Sequence, residues 1–268
     1  MSKAQTREMK LFENFVHSPH TIFGYKNQIK AFVKWAKFPN WEHMLSLDSK
    51  ELKIILEDYV MEKRRTCRAI TVRGCTFAIQ AFLDANDYDM NWKKIRRLIG
   101  KDDTKSNSRP WTTSEAQQMY AVANTLKNKT LILVLSSSGI RRGAIPNMKL
   151  KDLKDMPLGC KAVTCYAGTV DEYTTFINQE AVSVLEQYLA RRKSKGEVIT
   201  PESYVIARSA VHNAHIPIQE NTISYLVHHL KEKAGLKGNG IDNQLCHAFR
   251  RRFDTIFKLR DDCNVSLT

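Results

Sequence analysis

The chain has 268 residues, 43% hydrophobic and 26% charged, which is the mix of an ordinary globular protein with material for one large core or two modest ones. Wholesale disorder and collagen-like repeats are excluded, Thr130 to Leu135 is far too short an apolar stretch to cross a bilayer, and MSKAQTREMKLF lacks the apolar block of a signal peptide, so a cytoplasmic protein without a membrane partner is expected. Lys and Arg outnumber Asp and Glu by 42 to 28, a net +14 that is spread over both halves (21 against 13 over residues 1–109, 21 against 15 beyond), which favours a polyanionic partner and excludes a single basic tail.

Ser18-Pro19 reads as a helix start with Pro at its first position, and Ile22, Tyr25, Ile29, Phe32, Val33 and Ala36 follow at helical spacing. Asp48, with Glu51 three residues on as in a capping box, opens a second helix that carries Leu52, Ile55, Leu56, Tyr59 and Val60 and ends in Lys63, Arg64 and Arg65. A third runs from about Ala69 to Ala85, and a short fourth, Asn91 to Ile99, bears Lys93, Lys94, Arg96 and Arg97. Four helices predict a bundle over residues 1–100. From Gly100 to Thr113 the sequence GKDDTKSNSRPWTT is nearly free of apolar residues, so residues 101–112 read as a linker before a second domain at 113–268.

That domain opens with the capping box Thr112-x-x-Glu115, continues with Leu131 to Leu135 as the buried centre of another helix, and has Gly139 placed to end it. Lys161 to Tyr166 and Tyr173 to Ile177, with Ala167 to Glu172 between them, read as a β-hairpin. Helical patterns return at Gln179 to Lys193, Glu220 to Ala234 and Asn243 to Leu259, between irregular loops such as Lys237-Gly238-Asn239-Gly240. The fold class expected is mainly α with a small sheet. The cysteines (Cys67, Cys75, Cys160, Cys165, Cys246, Cys263) form no C-x-x-C pair and read as reduced, mostly buried thiols. His17 with His20, and His212 with His215, each offer only half of a metal site, so surface or capping roles are expected and no metal or cofactor is.

Two clusters carry chemistry: Ser138-Gly139-Ile140-Arg141-Arg142-Gly143-Ala144-Ile145, and Cys246-His247-Ala248-Phe249-Arg250-Arg251-Arg252-Phe253. His247 and Arg250 are three apart on a predicted helix and share a face. An arginine presents a planar fork that matches two phosphate oxygens, so two arginines and a histidine suit the holding of a phosphodiester without a metal. Read one at a time, the same residues do less: Arg141 and Arg142 cap a helix C-terminus, and His247 to Arg252 are the wet face of an amphipathic helix.

Together and in this order, the clusters resemble the tyrosine recombinases, the phage-type integrases that cut and rejoin DNA. Gly139-Ile140-Arg141 matches the first arginine of that family's active site, ahead of Leu150-x-Asp152-Leu153, and His247-x-x-Arg250 matches its H-x-x-R. The first helix, with Thr21, Tyr25, Phe32 and Trp35, looks like the start of the family's four-helix, SAM-like core-binding domain, and Tyr166-Ala167-Gly168 followed by Glu172-Tyr173-Thr174-Thr175-Phe176-Ile177 is similar to archaeal members. The resemblance implies a mostly helical catalytic domain, double-stranded DNA and other recombinase protomers as partners, and no cofactor. It implies Arg141, His247 and Arg250 as catalytic residues, and a DNA clamp whose inner surface carries Arg64, Arg65, Arg68 and Arg73 from the first domain and Arg251 beside the active site in the second.

Family chemistry attacks the phosphate with a tyrosine that follows the H-x-x-R. All nine tyrosines here precede His247, the last being Tyr225, so the sequence ending at Thr268 is expected to bind DNA without forming a phosphotyrosyl bond. Ala144 stands where many relatives carry an acidic residue, and the turn Ala167 to Glu172 has no lysine to match the family's proton donor, Lys161 lying too early. Three readings stay open: an integrase without its C-terminal tail, a binding module that occupies recombination sites or regulates a complete recombinase, and, last, a helix-turn-helix regulator.

Overall fold

The structure, a computed structural model, describes residues 6–101, 109–208, 216–236 and 245–259, and the chain divides into two units, Met1–Lys105 and Ser106–Thr268. The loop Lys237-Gly238-Asn239-Gly240, His212, His215, Cys263 and residues 102–108 of the expected linker lie outside the described residues.

The first unit contains α1 (Arg7–Val16), α2 (Pro19–Trp35), α3 (His43–Ser46), α4 (Ser49–Thr66), α5 (Ala69–Asp84) and α6 (Lys93–Ile99). The Ser18 hydroxyl accepts the Thr21 N–H at the start of α2, with Pro19 in the first turn. At α4 the Asp48 carboxylate accepts the Lys50 N–H at 2.9 Å, one position earlier than a capping box requires, so the expected reciprocal bond with Glu51 does not form. Helices α1 and α3 add to the four that periodicity singled out. In α1 the sole buried residue is Phe12, edge-on to Phe82 at 5.9 Å, and one anchor in ten residues gives no repeating pattern. Helix α5 packs against α1, α2, α4 and α6, so the core forms around Ile29, Phe32, Leu56, Tyr59, Ile79 and Phe82, with the Phe32 and Tyr59 rings 5.0 Å apart.

The second unit contains α7 (Thr113–Ala121), α8 (Leu126–Ser138), β1 (Leu153–Asp155), β2 (Lys161–Cys165), β3 (Tyr173–Ile177), α9 (Gln179–Ser194), α10 (Glu220–Lys233) and α11 (Leu245–Leu259). Helix α8 is its axis. Thr130 to Leu135 are all buried, because α7, α9, α11 and β3 surround the helix, and burial on every side removes the amphipathic pattern that surface helices show. The expected hairpin is β2 and β3, which pair antiparallel with Val163 opposite Thr175. The first strand ends at Cys165 rather than Tyr166, which turns out of the sheet at φ +54°. Strand β1, three residues long and too short to display alternation, completes a sheet of order β1-β2-β3. The molecule is thus mainly α with a small antiparallel sheet.

Five cysteines are described and all are free thiols, with Cys75, Cys165 and Cys246 buried and Cys67 and Cys160 half-buried. Among the described residues no helix is long and apolar enough to cross a membrane.

The entry to α7 fixes where α11 begins. Trp111 donates its indole N–H to the Leu245 carbonyl at 3.0 Å and rests its ring 6.0 Å from Phe249. Arg109 grips Glu115 through both carboxylate oxygens at 2.8 and 2.6 Å, and the predicted capping box is present, Glu115 accepting the Thr112 N–H while the Thr112 hydroxyl accepts the Glu115 N–H. The Arg109 bonds above all hold the Glu115 carboxyl down to about 2. A carboxyl lowered by folding adds stability above its unfolded value and loses it as pH falls through the folded one, so this contribution disappears between about 4.5 and about 2. Glu115→Gln should lower the melting temperature at pH 7 and leave it closer to wild type at pH 3, as thermal unfolding at the two values will show.

Candidate active site

Because α8 is enclosed on all sides, its end has to supply partners for carbonyls that water cannot reach. Gly139 terminates it in the left-handed region at φ +57°, and the Ile140 N–H turns back to the Ser138 hydroxyl at 3.2 Å. A Cβ at Gly139 would sit 2.8 Å from the Phe253 ring, so glycine is required for space as well as for φ. The carbonyl of Gly139 accepts a hydrogen bond from Arg250 Nη1 at 2.8 Å. That bond joins the end of α8 to the middle of α11 across 111 residues of sequence.

The two arginines after the turn have different fates. Arg142 is held from all sides: Nε and Nη2 donate to Glu220 Oε2 at 3.2 and 3.0 Å, and Nη1 donates to the Ser224 hydroxyl at 2.7 Å. Arg141 donates its backbone N–H to the Tyr173 hydroxyl at 2.9 Å and lays its guanidinium over the Tyr173 ring, 5.1 Å from the centroid. Gly143 follows because a Cβ there would meet the Tyr166 hydroxyl at 2.9 Å and Glu220 Oε1 at 3.2 Å.

These groups open on one cavity of about 620 Å³. Arg141, His247 and Arg250 all line it, together with Arg142, Tyr166 and Glu220. Arg141 and His247 are exposed and Arg250 is half-buried, so the cavity mouth is cationic and open to a large ligand. Cys246 also lines it, but burial pushes its thiol up to about 11, which leaves it protonated and a poor nucleophile at neutral pH. Burial likewise raises the hydroxyls of Tyr166 and Tyr173, which stay neutral. Lys161 pairs with Asp155 across the sheet and is not part of the cavity wall. Among the described residues, no three His, Cys, Asp or Glu side chains gather as metal ligands.

Arg251 is half-buried and does not line the cavity. In the first unit, Arg64 donates to the carbonyls of Cys67 and Lys101, at 3.1 and 3.5 Å, and Arg73 donates to that of Gly100 at 3.2 Å, so both tie down the chain just after α6. Arg65 and Arg68 are exposed at the α4–α5 junction. Four residues of the site carry no signal in the sequence that marks their part: Tyr166, Tyr173, Glu220 and Ser224 reach it from the hairpin and α10, and nothing in their spacing announces an arginine partner.

Gly139→Ala should destabilise the protein by about 2–5 kcal/mol, the sum of the left-handed cost of roughly 1–2 and an overpacking cost of roughly 1–3 against Phe253. Gly24→Ala, inside α2 with open space around its added Cβ, should instead stabilise by about 0.5–1 kcal/mol. Denaturant unfolding of the two variants tests the contrast.

Several solved structures share the fold. A XerH site-specific recombinase bound to palindromic difH substrate, in a post-cleavage complex, matches with TM-score 0.65 at 16% identity over 90% of this chain and 70% of its own. A lambda integrase dimer bound to a COC' core site matches with TM-score 0.61 at 17% identity over 94% and 69% of the two chains. The Tn1549 transposon integrase (residues 82–397) in complex with circular intermediate DNA matches with TM-score 0.60 at 13% identity over 98% and 89%. No curated protein matches the chain by sequence. The family model of the phage integrases matches residues 111–258, which is more than half of the chain and takes in every element that builds this cavity, and the chain accordingly belongs to the phage integrase family.

Proposed function

We propose that this protein is a DNA recombination protein that binds duplex DNA through both of its units and holds one phosphodiester among Arg141, His247 and Arg250. The observation that carries the reading is that Arg141, from one motif, and His247 with Arg250, from another more than a hundred positions along the chain, line a single open cavity. Arg141 presents a charge that no carboxylate neutralises among the described residues, and Arg250, bonded to Gly139 through one nitrogen, keeps further N–H donors for a phosphate oxygen. The two guanidinium groups neutralise the non-bridging oxygens and the charge that builds on them during phosphoryl transfer. His247, exposed one helical turn before Arg250, donates a hydrogen bond to the phosphate. No cofactor enters this chemistry.

The first unit serves as the core-binding domain and the second as the catalytic domain. Arg65 and Arg68 supply phosphate contacts from the first unit, with Arg64 and Arg73 beside them holding the chain after α6 and adding charge, and Arg251 contributes from the second. The DNA complexes of the XerH, lambda and Tn1549 proteins support duplex DNA as the ligand, and the lambda integrase dimer supports a second protomer on the same DNA. The net charge of +14 fits a partner bound chiefly through its backbone.

Fluorescence anisotropy with a 30-base-pair duplex between 50 and 300 mM salt tests the reading. Affinity should fall with salt at a slope of roughly −0.9 per phosphate contact, and Arg141→Ala should reduce the slope by about one contact while the protein stays folded. Binding that ignores salt, or an unchanged slope in the variant, would overturn it.

A further inference from the structure

We propose that Tyr173 is the positioning residue that aims the Arg141 guanidinium into the cavity. This rests on the reading of Arg141 as a phosphate ligand and adds to it the group that holds the ligand in place.

Tyr173 touches Arg141 at both ends. Its hydroxyl accepts the Arg141 backbone N–H at 2.9 Å, and its ring lies under the guanidinium at 5.1 Å. The residue two places along the same strand, and so on the same face of the sheet, completes the grip: the Thr175 hydroxyl donates to the Ser138 carbonyl at 2.6 Å. Strand β3 therefore splints both sides of the turn Ser138-Gly139-Ile140-Arg141. The strand is itself rigidly placed, with Tyr173 paired to Cys165 in β2.

Nothing else among the described residues performs this task. Arg142 has Glu220 and Ser224, but no carboxylate or carbonyl is bonded to the Arg141 guanidinium, and Ala144, one turn along, is buried and apolar. The chemistry of the support matters. A carboxylate would occupy two of the five guanidinium N–H donors and cancel the charge, whereas an aromatic face attracts the cation and leaves every donor open to a phosphate. Burial keeps the Tyr173 hydroxyl neutral, so it brings no charge that would compete. An exposed arginine also surrenders rotamer freedom when it grips a ligand, and a ring already beneath it removes part of that loss beforehand.

The test compares Tyr173→Leu, Tyr173→Phe, Arg141→Ala and the double variant Tyr173→Leu/Arg141→Ala, by anisotropy with the same duplex and by thermal melting. Tyr173→Leu should weaken binding about two- to fivefold, the scale of one cation–π contact, and shift the salt slope toward that of Arg141→Ala. Tyr173→Phe, which keeps the ring and loses the acceptor, should recover most of the affinity and serves as the readout if the leucine variant does not fold. In the Arg141→Ala background, Tyr173→Leu should change binding less than about twofold. Equal weakening with and without the Arg141 side chain, or a lowered melting temperature with an unmoved salt slope, would make Tyr173 a merely structural residue and overturn the proposal. An Arg141→Ala variant with wild-type affinity and slope would instead overturn the phosphate reading beneath it.

Discussion

The hydrogen bond from Arg250 to the Gly139 carbonyl is the contact that ties the end of α8 to the cavity wall. A helix whose centre, Thr130 to Leu135, is buried among α7, α9, α11 and β3 gains its stability from that burial, and the buried Ser138 and Gly139 at its end carry carbonyls that need protein donors. A guanidinium from α11 supplies the missing donor. It has donors to spare, so the group that satisfies the helix end also projects charge into the cavity beyond it. Removing either partner leaves a polar group without a replacement, and this ties the integrity of the core to the geometry of the site.

Adjacent arginines at the same turn show how environment assigns roles. Arg142 is spent on Glu220 and Ser224, and this bonding seats the start of α10 against the turn that follows α8. Arg141 is supported by a ring and a hydroxyl without being neutralised. The difference lies in the partners and not in the side chain, since both are exposed and both follow the same glycine. Gly143 belongs to the same arrangement, for a side chain there would push Tyr166 and Glu220 away from the cavity wall.

The first unit follows a simpler logic. Its core contains edge-to-face aromatic pairs, Phe12 with Phe82 and Phe32 with Tyr59, and Arg64, Arg65 and Arg68 sit where α4 ends and α5 begins. Arg64 and Arg73 satisfy carbonyls at residues 100 and 101 and Arg64 also that of Cys67, so part of the charge that reads as a nucleic-acid surface is fastening the chain where it leaves α6. Positive charge near the C-terminus of α4, in Lys63, Arg64 and Arg65, is favourable to that helix as well.

The sequence by itself determined the helices with a regular apolar stripe or a local cap, because either signal lies within a few residues: α2 with Ser18 and Pro19, α5 by its stripe, and α7 with its Thr112 and Glu115 box. It also determined the Gly139 stop and the residue types of the cavity, since Arg141, His247 and Arg250 belong to two compact motifs. Only the tertiary structure decided the rest. Helix α1 depends on a single buried phenylalanine, β1 is a strand only because β2 lies beside it, and Asp48 chose the Lys50 N–H over the one expected. The partners of the two arginines, Tyr173 from the sheet and Glu220 with Ser224 from α10, come from 32 to 82 residues away. Such pairings obey no spacing rule. They are set by which surfaces the packing of α8 brings together, and that is a property of the whole core and not of any window of sequence.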